Sequence, residues 1–243
     1  MRKIVAFLPS VIFAFNFFLL LVIFHPIQYL SKNLGGYKAH KLSVDILNYL
    51  LLKNFLFTFT TIHFSGFHQL SKGRPLIIVS NHQSTFDITP VVWGFRDFHP
   101  KFISKKELGK GIPSISYNLN HGGSVLIDRK NNSQAIRQLF ILGRRIEENN
   151  FSACIFPEGT RSKTGQVRKF KSSGIKTLLK ASPSALVVPF AIDGNYRLQQ
   201  KGAFPLAIGL KLRYTVLKPI EPAGKTAEEI VELCEGLIKD HLQ

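Results

Sequence analysis

The chain opens without any alternation of apolar and polar positions. Residues 4–24, "IVAFLPSVIFAFNFFLLLVIF", are almost wholly apolar behind the basic pair Arg2 and Lys3. A run of about 20 apolar residues is what a helix needs to cross a bilayer. Pro9, Ser10 and Asn16 interrupt it and weaken the reading as a clean span. The following "HPIQYL" offers no small-x-small cleavage pattern, which argues against a cleaved leader. A second apolar stretch, residues 42–64, contains Asp45 and Lys53 and reads as an interfacial or core-facing helix. Lys32, Gly35, Gly36, Lys38 and Lys41 form a basic turn between the two. Residues 1–66 are therefore expected to be a two-helix membrane-docking element. The plainer alternative is a pair of helices packed on the rest of the chain.

From residue 70 the period changes. Short apolar runs at 75–80, 101–104, 124–127, 152–156, 185–190 and 210–216 read as strands. Residues 132–149 carry Ile136, Leu139, Phe140 and Ile146 at helical spacing, with Ser133 as a plausible cap. Residues 226–242 form another helix. Thr226 and Glu229 fit a capping box, and Ile230, Leu233, Leu237 and Ile238 form its apolar face. Strands alternating with helices predict an α/β fold over residues 67–243, with a mixed, largely parallel sheet flanked by helices.

Composition narrows the partners. The net charge is +17, yet 45% of residues are apolar and Phe occurs 21 times. The charge calls for an anionic surface, lipid, substrate or carrier, and the apolar content favours a membrane over nucleic acid. The two cysteines, Cys154 and Cys234, are far apart and form no CxxC pair, which suits a reducing compartment.

Candidate chemistry gathers just after strands. "IVSNHQSTFDITP" puts His82 and Asp87 five positions apart beyond an apolar strand. On one helix they would point about 140° apart. Across a strand end, a turn and a helix start they can meet. Asp87 would then fix the tautomer of a His82 general base. An ordinary turn histidine followed by a helix-capping aspartate uses the same residues.

"FPEGTRS" (156–162) supplies Glu158, a flexible Gly159, the hydroxyl of Thr160 and the forked cation Arg161, suited to phosphate. A basic surface turn would look similar. "GGSVLIDRK" (122–130) ends in Asp128 and Arg129, and "VVPFAIDG" carries Pro189 in a strand. Cys154, inside a strand, reads as a buried small residue. No G-x-S-x-G elbow, phosphate loop or metal-ligand spacing occurs.

Taken in order, "NHQSTFD", "GGSVLIDR", "FPEGTRS" and "LVVPFAIDG" resemble the four blocks of the glycerolipid acyltransferase family, lysophosphatidic acid acyltransferase type. "FISKKEL" (102–108) resembles a further segment of that family, with Ser104 where alanine or glycine is usual. The resemblance implies that His82 is the base and Asp87 its partner. It puts Glu158 and Arg161 on the acceptor, with Arg161 on its phosphate. Lys105 and Arg129 line the phosphate site, and Pro189 belongs to the block tied to the acyl donor. The implied reaction moves a fatty acyl group from a thioester to the free hydroxyl of lysophosphatidic acid, giving phosphatidic acid in phospholipid biosynthesis. The donor would be acyl-CoA or an acidic acyl carrier protein. No metal, further cofactor or nucleic acid is implied, and the expected place is the cytoplasmic face of the cell membrane. Another lysolipid acceptor, such as an ornithine lipid or other lysophospholipid, fits the same residues. A non-enzymatic basic protein binding membrane or nucleic acid explains the charge but not the His82–Asp87 spacing. The chain departs from the family at "GIPSISYNLNH" (111–121), where Pro113 remains but an aromatic-glycine pair is replaced.

Overall fold

The run Leu76, Ile77, Ile78 and Val79 has no polar face, and all four side chains are fully buried. Such a strand needs cover on both sides, which a sheet between two helical layers provides. The computed structural model describes residues 2–200 and 202–243; the side chains of Arg2 and Lys3 lie outside the described set. Seven strands form the sheet: β1 (Thr61–Ser65), β2 (Leu76–Ser80), β3 (Pro100–Lys105), β4 (Val125–Ile127), β5 (Ser152–Ile155), β6 (Leu186–Asp193) and β7 (Lys211–Val216). Their order is β1-β7-β6-β2-β5-β3-β4. Every pairing is parallel except β6 with β7.

The helices are α1 (Arg2–Lys53), α2 (Ile88–Gly94), α3 (Ile115–His121), α4 (Asn132–Asn149), α5 (Ser172–Ala181) and α6 (Ala227–Leu242). Leu76 and Ile78 pack into a core shared with α1 and α2. Ile77 and Val79 face a second core with α4, α5 and α6. The alternation along one strand thus assigns the two layers.

Six of the seven strands lie where the apolar runs place them, and β1 is the exception. It begins inside residues 42–64, which read as one helix, and runs to Ser65. That helix stops at Lys53, passes through a short 3-10 turn at Asn54–Thr58, and ends with Phe59 in the left-handed region (φ 54). Thr61 and Ile62 then favour the extended conformation. The caps also shift. Asn131, not Ser133, caps α4 by accepting from the Gln134 N–H. Leu142 and Gly143 join Leu139 and Ile146 on its buried face, while Ile136 and Phe140 are exposed. In α6 the capping box of Thr226 and Glu229 forms, but Val231 and Cys234 are buried and Leu233 is exposed.

The N-terminal element is one helical run with a single kink; its two arms meet at Gly36 with no separate basic turn between them. Residues 32–41 are helical, and the backbone departs from helix only at Gly36 (φ 66, ψ −153). That single break folds the run back on itself. Asn16 Nδ2 donates to Asn54 Oδ1 at 2.8 Å, and the Phe13 and Phe55 rings lie 5.0 Å apart. In a straight helix positions 16 and 54 would be about 57 Å apart.

The first arm buries Ala6, Ser10, Phe13, Leu21, Phe24 and Gln28, which with half-buried Phe17 make a stripe at three- and four-residue spacing. Ser10, which disturbs the apolar run in sequence, accepts from the Leu206 N–H at 3.0 Å. The rest of that arm remains apolar and uncovered; Phe7, Leu8, Phe15 and Phe18 are each more than half exposed. The divergent segment docks here too. Ser114 N–H donates to His25 Nδ1 at 3.1 Å and its hydroxyl donates to the Leu21 carbonyl at 2.7 Å.

Past the fold-back, Tyr37 latches the element to the sheet beside the start of β3. Lys101, only 5% exposed, donates to the Tyr37 hydroxyl at 2.9 Å and lies 4.9 Å from the Tyr37 and Phe151 ring centres. Among the described residues no carboxylate pairs with it. Burial, with Lys41 nearby, lowers its pKa to about 7. In the unfolded chain a lysine titrates near ~10.4. Between these values the unfolded state binds a proton that the folded state lacks, so stability rises with pH across that window. The unfolding midpoint of the detergent-solubilised protein should climb from pH ~7 to ~9. Lys101→Met should flatten that climb; an equally steep climb in the variant would show that another group causes it.

Candidate active site

Five strand ends deliver the site. β2, β3, β4, β5 and β6 all point the same way, and a parallel sheet presents its ligand-binding loops at these carboxyl ends. Beyond β2, the Asn81 side chain donates to the Ile192 carbonyl and accepts from the Ile192 N–H, both at 2.8 Å. This clamps the end of β2 to β6 and starts the turn that carries His82.

Ser84 caps the short helical turn Thr85–Asp87, and Asp87 completes the capping box by accepting from the Ser84 N–H at 2.9 Å. The same oxygen, Oδ2, accepts from the Gln83 N–H at 2.6 Å and from His82 Nδ1 at 2.7 Å. Asp87 therefore both closes the capping box and partners the imidazole, so the two readings of the sequence meet in one residue. Asp87 is fully buried and the His82 side chain is 19% exposed. A carboxylate only accepts, so Nδ1 carries the proton, and in the neutral ring Nε2 keeps its lone pair. The ring stacks on Phe156, with centroids 4.3 Å apart.

The 156–162 loop holds the backbone of His82 from the other side. Glu158 Oε1 accepts from the His82 N–H at 2.8 Å, and Oε2 accepts from the Arg168 N–H at 3.4 Å. The Ser162 N–H donates to the His82 carbonyl at 2.7 Å. Burial raises the Glu158 pKa, and the two backbone donors oppose that rise. Pro157 and Glu158 occupy the centre of a turn closed by the Gly159 N–H on the Phe156 carbonyl at 3.1 Å. Gly159 follows at φ 72. Thr160 and Arg161 stand exposed at the tip.

Cations frame the far side. Lys105 ends β3, aligned with Ile127 at the end of β4, and is exposed. Its neighbour Lys106 is paired with Asp128 at 2.5 Å, and that contact lowers the Asp128 pKa. Arg129 reaches across to donate to the Gly159 carbonyl at 2.9 Å. The strand order β2-β5-β3-β4 thus sets His82, then Glu158–Arg161, then Lys105, then Arg129 along one rim.

Pro189 lies apart from this rim. It is buried within β6 opposite Val79, between the pairs Phe190↔Val216 and Val187↔Ile220, where two residues face three. Its missing N–H sits at that irregularity in the ladder. Cys154 is buried in β5, where burial pushes its thiol pKa well up.

Sequence reasoning missed three residues that hold the site: Asn81, Asn195 and Tyr214. Asn195 opens the short 3-10 turn one glycine beyond β6 and donates Nδ2 to Asp87 Oδ1 at 2.6 Å. Tyr214, from β7, donates its hydroxyl to Asn195 Oδ1 at 2.8 Å. The available signal was position: Asn195 stands one residue past the glycine that ends "VVPFAIDG".

The loop geometry yields a stability prediction. A Cβ on Gly159 would meet only Lys171 Nζ, at 3.9 Å, so space is not limiting and backbone conformation is. Gly159→Ala should cost about 1–2 kcal/mol by thermal or urea unfolding, and Gly159→Asn less, since asparagine tolerates the left-handed region. Equal stability of all three proteins would show that the loop relaxes out of this conformation.

The acyltransferase family profile matches residues 61–193, from β1 to the end of β6. The chain is 28% identical over 170 residues to human 1-acyl-sn-glycerol-3-phosphate acyltransferase beta, covering 69% of this chain and 58% of that one. It is 32% identical over 177 residues to the 1-acyl-sn-glycerol-3-phosphate acyltransferase of Cocos nucifera, covering 68% and 53%. It therefore spans little more than half the length of these two relatives. The crystal structure of the 1-acyl-sn-glycerophosphate (LPA) acyltransferase from Thermotoga maritima superposes with a TM-score of 0.83 at 26% identity, over 99% of this chain and 96% of that one. With the profile covering the strands that build the His82 site, the chain belongs to the acyltransferase family.

Proposed function

We propose that the protein transfers a fatty acyl group from an acyl thioester to the free hydroxyl of lysophosphatidic acid, forming phosphatidic acid. The observation that carries this reading is the His82 Nδ1–Asp87 bond at 2.7 Å beside a rim of exposed cations. The partial exposure of His82 and the names of the relatives support it.

Nε2 of His82 takes the hydroxyl proton as the oxygen attacks the thioester carbonyl, and buried Asp87 stabilises the imidazolium. The tetrahedral intermediate collapses, the C–S bond breaks, and the leaving thiolate recovers the proton from His82. The thioester is already activated, so an enzyme nucleophile is not required. Cys154, buried with a raised pKa, is unsuited to that role.

Neighbouring strands lie about 5 Å apart. The hydroxyl and phosphate of the acceptor are separated by a few bonds, so the loop after β5, next to β2, is the nearest phosphate site. Arg161 is its exposed fork, with Lys105 and Arg129 beyond it. Glu158 contributes by fixing the backbone of His82. Thr160 and Gly159 shape the loop, and Pro189 supports β6 from within. The same cations suit the phosphates of CoA or an acidic carrier protein.

The uncovered face of α1 favours a membrane seat, where substrate and product belong: each buried CH₂ contributes roughly 0.8 kcal/mol. Because thioester donors are cytosolic, the cytoplasmic face is the consistent side.

With purified full-length protein in phospholipid micelles, His82→Ala should lower kcat by about 10²- to 10⁴-fold. Turnover within a few-fold of wild type would remove His82 from the role of base. Arg161→Ala should mainly raise the KM for the phosphate-bearing acceptor, because a phosphate contact acts in ground and transition states alike. A large fall in kcat at unchanged KM would place Arg161 on the transition state instead.

A further inference from the structure

We propose that Asn195 and Tyr214 are positioning residues for the reaction, a buried donor chain that holds the Asp87 carboxylate in register with His82. The proposal rests on the reading of His82 as the base in acyl transfer. It goes beyond that reading by adding two residues from β7 and the end of β6.

The two oxygens of Asp87 are unequally supplied. Oδ2 receives His82 Nδ1 and the N–H groups of Gln83 and Ser84. For Oδ1, Asn195 Nδ2 at 2.6 Å is the single hydrogen-bond partner among the described residues. Asp87 and Asn195 are both fully buried, so water does not substitute for that contact. Without it a charged oxygen is left bare, and rotation of the carboxyl is no longer opposed on that side.

An asparagine amide has a donor end and an acceptor end, so something must orient it. Tyr214 does so. Its hydroxyl donates to Asn195 Oδ1 at 2.8 Å. Burial, reinforced by the Asp87 charge, raises the phenol pKa well above its ordinary value, so it stays a donor. Every hydrogen bond then has one direction, from Tyr214 to Asn195, from Asn195 to Asp87, and from His82 to Asp87. Tyr214 is 1% exposed in β7, paired antiparallel to β6 at Ile192, and so moves with the sheet.

A carboxyl at position 195 distinguishes positioning from mere packing. When protonated it can donate to Asp87 as the amide does. When ionised it faces another carboxylate and repels it. Its neighbourhood, buried and beside a negative charge, raises the pKa of such a group. The other titratable groups near Asp87 are His82, Tyr214 and Cys154, the last two kept neutral by burial. The nearby Asp193–Arg213 pair, at 3.2 Å, is partly exposed.

The test compares full-length wild type, Asn195→Leu, Asn195→Asp and Tyr214→Phe in phospholipid micelles with lysophosphatidic acid and acyl-CoA. Asn195→Leu should lose about 10²-fold in kcat at every pH, with acceptor KM within about threefold. Asn195→Asp should keep activity at low pH and lose it as pH rises, adding an alkaline limb below that of the wild type. Tyr214→Phe should lose a smaller factor of kcat. Thermal unfolding checks each fold; if Asn195→Leu does not fold, the other two variants carry the test. Superimposable pH profiles for wild type and Asn195→Asp, or a loss in the variants confined to KM, would overturn the proposal. The proton resonance of His82 Nδ1 gives a readout independent of turnover. It should move in Tyr214→Phe, and an unchanged resonance counts against the relay. A wild type that moves no acyl group, with the resonance still shifted in the variant, would sink the acyl-transfer reading and leave the relay standing.

Discussion

Asp87 carries a carboxylate with no exposed surface, and a buried charge of that kind is costly unless every lone pair is answered. Four N–H groups answer it, from His82, Gln83, Ser84 and Asn195. They come from the end of β2, from the turn into α2 and from the end of β6. The same demand therefore closes the β2–α2 turn, ties it to β6, and fixes the ring of His82. Asn81 adds a second clamp between β2 and β6 that leaves Asp87 unencumbered. Satisfying one charge accounts for much of the geometry of this end of the sheet.

The loop after β5 applies a complementary constraint. Glu158 and Ser162 grip the backbone of His82 through its N–H and its carbonyl, while Phe156 lies against the ring. Main chain and side chain of the histidine are thus held by different segments. The tip between those grips, Gly159–Arg161, remains exposed, and Arg129 braces it from the β4 side. A rigid histidine beside a presented cationic tip is what a small phosphorylated acceptor requires, since its reacting oxygen and its anchor are only a few bonds apart.

Much of this was legible in the residues. The four apolar residues of β2 announce a strand buried on both faces. The His82–Asp87 spacing allows contact only across a turn, and the turn is there. The capping box of α6 is a local device, and it forms as its residues suggest. What stayed hidden depends on distant partners. β1 was masked because "FLFTFTTIHF" continues the phenylalanine-rich run of the helix before it, and pairing with β7 fixes where the extended part begins. Ile136 and Phe140 share helical spacing with Leu139, yet the face that α4 turns inward is set by α5. Asn195 and Tyr214 were invisible because their part depends on a carboxylate more than a hundred positions earlier in the chain. Glu158 stood out as a site candidate but not as a backbone clamp, because the N–H groups it binds carry no sequence signature.

The fold-back of α1 at Gly36 has a mechanical side. Phe13 and Phe17 on the first arm and Phe55 just beyond the second all touch Phe86, with ring centres 5.5–5.7 Å from it. Phe86 immediately precedes Asp87. The apolar arm therefore meets the segment before Asp87 through edge-to-face rings. Contacts on Phe86 from the first arm and from Phe55 tie the placement of the first arm to the segment that carries His82 and Asp87. On the proposed reading, with the acceptor held in a bilayer, such a joint acts as a depth gauge. The distance from the reacting nitrogen to the plane in which acceptors diffuse is a property of the protein, not of chance collisions. The relevant abundance of acceptor then becomes its share of that plane rather than its amount per volume of solution.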